Sequence, residues 1–101
     1  MNEKYYLQSD IEEITKNLEK HLKYFSGKKF LISGANGFLG KYFIKTLINL
    51  NKKLKKKASV IAIDIKFDKC EIYSDKCVKK IKKDINNINK LNFKCDYVLH
   101  A

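Results

Sequence analysis

The sequence predicts an α/β domain: a parallel sheet of about four strands, preceded by an N-terminal amphipathic helix. Three observations carry that prediction. Short, continuously apolar runs occupy Lys29 to Ser33 and Ser59 to Asp64, as expected of strands buried on both faces. A glycine-rich stretch, Gly34 to Gly40, joins the first run to a helical pattern. The interval between the two runs has room for one helix and little else, which suits the crossover that parallel strands require.

The leading segment turns helical at Ser9. Ile11, Ile14, Leu18, Leu22 and Phe25 recur at spacings of three and four, and Ser9 with Glu12 has the form of a capping box. Acidic residues gather in the first turn (Asp10, Glu12, Glu13) and basic ones near the end (Lys20, Lys23), which complements the helix dipole. Gly27 is the stop signal. The apolar stripe needs a partner, either the rest of the domain or a second copy of the chain, and a homodimer is one arrangement that supplies it.

After the glycine stretch, Phe38, Leu39, Tyr42, Phe43, Leu47 and Leu50 keep helical spacing. The lysines between Lys52 and Lys57 then form a solvated turn back to the second strand. Beyond Asp64 the pattern weakens: residues 65–76 have no sustained period, and Val78 to Lys82 reads as a third strand closed by Asp84. Tyr97, Val98 and Leu99 read as a buried final strand within Asp96 to Ala101.

Size and composition narrow the function. The 101 residues fit one small domain and exclude a two-domain enzyme. No apolar run approaches the roughly 20 residues of a membrane span, and the acidic, polar start is unlike a signal peptide, so a cytoplasmic location is expected. Cys70, Cys77 and Cys95 match neither a zinc pattern nor a Cys-x-x-Cys pair, and read as free thiols in a reducing compartment. The net charge of +11 raises nucleic acid or an anionic membrane surface as a partner, but every one of the 22 basic residues is Lys. Nucleic-acid readout draws on Arg for its bidentate fork, so the charge argues only weakly for that partner.

The chemistry centres on Gly34-Ala35-Asn36-Gly37-Phe38-Leu39-Gly40. Placed between a strand and a helix, Gly34 would turn the chain out of the strand, and Gly37 would let backbone approach a phosphate. Gly40 would let the helix lie close to the sheet. The helix start offers unpaired N–H groups and the positive end of its dipole to an anion. Asp64 follows 24 residues after Gly40 at a strand's end, where a carboxylate can accept hydrogen bonds from both ribose hydroxyls of adenosine. This is the pattern of a Rossmann-type dinucleotide site, and the carboxylate favours NAD over NADP, although Lys66 nearby partly offsets its charge. The Walker pattern is absent.

The Gly-x-x-Gly-x-x-Gly spacing resembles the extended short-chain dehydrogenase/reductases, and Ser33 to Gly40 is especially like their NAD-dependent nucleotide-sugar epimerases, dehydratases and decarboxylases. The resemblance runs from about Lys28 to Ala101. It implies that Asp64 holds the adenosine ribose, that Asp84 and Ile85 lie by the adenine, and that His100 and Ala101 line the cofactor. The cofactor-contact set is thus Gly34, Asn36, Gly37, Phe38, Leu39, Gly40, Asp64, Asp84, Ile85, His100 and Ala101.

Family members also use a Tyr-x-x-x-Lys pair that would lie beyond Ala101. The Tyr24 to Lys28 match precedes the first strand and is coincidental, so no catalytic residue is assigned. Residues 1–27 read as a helical extension and residues 28–101 as the N-terminal part of an NAD-binding domain, with a nucleotide-sugar substrate met only in a longer protein. Two rivals remain: a Rossmann module that binds NAD without catalysis, and a basic nucleic-acid-binding protein.

Overall fold

The computed structural model describes residues 5–84 and 94–101. Its elements run α1 (Gln8–Leu18), β1 (Lys29–Ser33), α2 (Phe38–Leu50), β2 (Ser59–Asp64), β3 (Val78–Lys82) and β4 (Tyr97–His100), with short 3₁₀ turns at Glu19–Tyr24, Asn51–Lys53 and Glu71–Ser74. The four strands form one parallel sheet in the order β3-β2-β1-β4. This matches the first four strands of the six-strand Rossmann order, and the direction of winding reverses between β1 and β4. The expected α/β class, parallel sheet and leading helix are all present.

The two central strands are the apolar ones. Phe30 pairs with Val60 on one side and Tyr97 on the other, and Ile32 lies between Ala62 and Leu99. On the helical face, Phe30, Ile32, Val60 and Ala62 pack with Ile44, Leu47 and Leu50 of α2, with Ile11 of α1, and with Ile72 and Tyr73. On the other face, Leu31, Ile61 and Ile63 cluster with Ile81 and Cys95. The leading helix is therefore part of the domain's own core. Thr15 hydrogen-bonds across to α2, its hydroxyl accepting from Asn49 Nδ2 at 3.0 Å.

Four details differ from the sequence reading. The helix starts at Gln8 with Leu7 as its N-cap and no side-chain cap, so Ser9 and Glu12 form no capping box. The α-helix also ends early, at Leu18, and continues as a 3₁₀ turn kinked at His21, which swings Phe25 inward to stack on Phe30 at 5.9 Å. The expected stripe accordingly breaks up: Ile11 is buried but Ile14 is exposed. In α2 the inward face is centred on Ile44, Leu47 and Leu50, while Phe38 and Leu39 stand 68% and 66% exposed. Finally, β4 is an edge strand, with β1 its neighbour in the sheet, so Tyr97 and Val98 are exposed rather than buried.

The lysine-rich connection leaves its lysines exposed around one anchor, the buried Leu54. Asn51 closes this connection by a reciprocal pair of hydrogen bonds with Ala58: its Nδ2 donates to the carbonyl at 3.0 Å and its Oδ1 accepts the N–H at 2.8 Å. The three cysteines are free thiols. Among the described residues no helix is long and apolar enough to cross a membrane.

Candidate functional site

The chain leaves β1 at Ser33 and turns at Gly34, whose φ of +66° is a left-handed conformation that costs side-chain-bearing residues dearly. A Cβ there would also run into the carbonyl oxygen of Ala101, so Gly34 is required twice over. The turn closes with the Gly37 N–H donating to the Gly34 carbonyl at 3.0 Å, and Ala35 donates to Ile63 in β2 at 3.1 Å. Gly37 is the N-cap of α2, with no side chain capping it and no acidic residue in the first turn. The first amides of the helix lack partners within it, and no carboxylate of its own first turn offsets the positive end of its dipole. A Cβ on Gly40 would sit 2.7 Å from the Ala35 carbonyl oxygen, so the absence of a side chain is what lets α2 approach the end of β1.

Asn36 is the most heavily tied residue of the loop. Its N–H donates to Asp64 Oδ2 at 2.9 Å, and its side-chain oxygen accepts from the Asp68 N–H at 2.9 Å and the Tyr73 hydroxyl at 3.1 Å. Its carbonyl accepts from the ammonium of Lys41, which also pairs with Asp68 at 2.7 Å. The hydrogen bond from Lys41 holds the Asp68 carboxyl below its ordinary value. Tyr73 donates as well to the Ala35 carbonyl at 2.8 Å, and burial pushes its phenol upward, so it stays a neutral donor.

At the carboxyl ends of β1, β2 and β4 an open cleft of about 440 Å³ is lined by Gly34, Asp64, Asp84, His100 and Ala101, along with Lys83 and Ser33. It lies where the direction of strand winding reverses, the usual position for a ligand crevice in an open α/β sheet. His100 is held there by Ser33, whose hydroxyl lies 2.6 Å from Nδ1. Five of the residues singled out from the sequence thus meet around one cleft. Asn36 faces the segment after β2, and Gly40 is buried in the first turn of α2 against the Ala35 backbone. Gly37, Phe38 and Leu39 lie outside the cleft lining. Phe38 rests against Tyr42 with ring centroids 4.8 Å apart, and Leu39 lines an apolar cavity of about 310 Å³ with Ile14, Leu18 and Leu99. Ile85 lies outside the described residues.

No family model matches this chain. No curated protein and no solved structure matches it either. The chemistry of the site therefore rests on its own geometry. In that geometry an uncapped helix start follows a glycine turn, and a carboxylate ends the neighbouring strand. Each Asp64 oxygen already accepts one backbone N–H, from Asn36 at 2.9 Å and from Ile65 at 2.7 Å. A carboxylate oxygen has two acceptor directions, so both can still receive a ribose hydroxyl.

Sequence reasoning passed over Lys41, Asp68 and Tyr73. Lys41 carried a readable signal, since it lies three and six residues before Ile44 and Leu47 and so shares the inward face of α2. Asp68 and Tyr73 sit in a stretch with no period, where nothing local marks them.

Proposed function

We propose that this chain is the NAD-binding segment of an enzyme related to the nucleotide-sugar epimerases, dehydratases and decarboxylases. The observation that supports this most is the pairing of a glycine turn and uncapped helix start with Asp64, which with Gly34 lines a cleft at the reversal point of the sheet. In this reading the first amides of α2 receive the pyrophosphate, and Asp64 accepts the adenosine ribose hydroxyls. Asp84 flanks the adenine, and His100 and Ala101 line the path towards the nicotinamide. Bound NAD would supply a hydride acceptor for a sugar hydroxyl, the step that all three reaction types share. Ser33 fixes the His100 ring, so that its Nε2 is the nitrogen left to meet a ligand.

Titration of NAD and NADP into the purified chain by calorimetry tests this reading. Saturable NAD binding, weaker NADP binding, and loss of NAD binding in Gly37→Val and Asp64→Ala are expected. Gly37 has a φ of −75°, so valine there crowds the helix start without forcing the backbone. A folded wild-type chain that binds neither dinucleotide overturns the proposal.

A further inference from the structure

We infer that Lys41 is a positioning residue of the glycine loop: its buried ammonium holds the Asn36–Gly37 peptide so that the first amides of α2 stand ready for a pyrophosphate. This rests on the dinucleotide reading. Lys41 is only 6% exposed, an uncommon place for an ammonium, whose burial is costly unless hydrogen bonds and opposite charge compensate it. Both compensations are present. The ammonium donates to the Asn36 carbonyl, pairs with Asp68 at 2.7 Å, and lies 5.1 Å from the centre of the Tyr5 ring.

The geometry explains why a lysine serves here where an aliphatic side chain would pack as well. A peptide unit is planar, so holding the Asn36 carbonyl also orients the Gly37 N–H, which points at the Gly34 carbonyl 3.0 Å away. On its other side Asn36 is held by Asp64 through its N–H. Lys41 is the fourth residue of α2, and its own N–H donates to the Gly37 carbonyl at 3.0 Å. Backbone and side chain of one residue thus tie the helix start to the loop at two successive carbonyls. A loop ordered before the ligand arrives loses less entropy on binding.

The test compares wild type with Lys41→Met by amide hydrogen exchange at residues 37–40 and by titration with NAD, ADP and adenosine. Exchange about tenfold faster, and NAD and ADP affinities about tenfold lower, are expected from loss of one charge-assisted hydrogen bond. Adenosine affinity should stay unchanged, because Asp64 is intact and adenosine carries no phosphate. A merely structural role would weaken all three ligands alike. Wild-type affinities for NAD and ADP in the variant, or a parallel loss for adenosine, overturn the inference while leaving the dinucleotide reading in place. If wild type binds none of the three, that reading falls and Lys41 loses its ligand-positioning role with it. Should Lys41→Met fail to fold by circular dichroism, Lys41→Gln, which keeps a donor without the charge, goes through the same measurements and the same outcomes decide.

Discussion

The carboxylate of Asp64 accepts the backbone N–H of Asn36 at 2.9 Å, so the end of the second strand holds the turn that follows the first. Its other oxygen accepts the N–H of Ile65, which makes one side chain responsible for two backbone donors. Asp64→Ala removes both acceptors and should cost about 1–3 kcal/mol even without ligand. For a chain of this size that lowers the melting midpoint by roughly 4–8 °C per kcal/mol. Asp64→Asn keeps one acceptor and should fall between. Thermal unfolding of the three proteins checks the order, and an unchanged midpoint in the alanine variant would show that the tie adds nothing.

The loop glycines should separate by cause. Gly34→Ala meets both a left-handed φ and the Ala101 carbonyl oxygen, so it should destabilise by more than about 2 kcal/mol. Gly37→Ala has an ordinary φ and a Cβ that would lie 3.3 Å from the Gly34 carbonyl oxygen, so it should cost less than about 1 kcal/mol. Urea unfolding of both variants measures the difference, and equal losses would contradict the geometry described.

Ile11 and Thr15 are the buried side chains of the leading helix. Ile11 is fully buried, so Ile11→Ala should cost about 2–5 kcal/mol. Ile14, one turn on and exposed, should cost less than about 1 kcal/mol when truncated. If the two truncations prove equal in denaturant unfolding, the helix is not seated as described.

Stability should fall at both ends of the pH range. Burial pushes the Cys77 thiol up to about 12, above the 9.0 of an ordinary thiol. The folded state therefore holds that proton more tightly, and its contribution, complete below pH 9, is lost as pH rises towards about 12. The Asp68 carboxyl, held below 3.8 chiefly by its hydrogen bond from Lys41, acts in the opposite direction. Its contribution is present above about pH 4 and disappears as pH falls further. Melting curves of wild type and Cys77→Ala across pH 8–12, and of wild type and Asp68→Asn across pH 2–6, should converge at the extremes. Curves that stay parallel would remove these two groups as the cause.

Much of the fold was legible because it rests on local patterns. The runs around Ile32 and Ile61 are apolar without alternation, which marks strands covered on both faces, and Gly34 and Gly40 punctuate a strand-to-helix turn. β3 was readable only as a short run because Lys79, Lys80 and Lys82 are exposed on an edge strand, where burial imposes no hydrophobic pattern. The phase of α2 was misread for a related reason. Phe38 and Leu39 are apolar and fall in helical register, yet they lie in the first turn, beyond the edge of the core that Ile44 and Leu47 enter.

By itself the sequence determined the order of strands and helices, the place of the glycine turn and the candidacy of Asp64, since each depends on residues close together in the chain. Only the tertiary structure decided that Tyr97 and Val98 would face outward and that the 3₁₀ turn would kink at His21. It alone brought Lys41, Asp68 and Tyr73 together on Asn36. Those outcomes depend on which surfaces meet when the helices pack on the sheet, and a carbonyl left without a partner by the loop can be satisfied by any donor that the packing brings within reach.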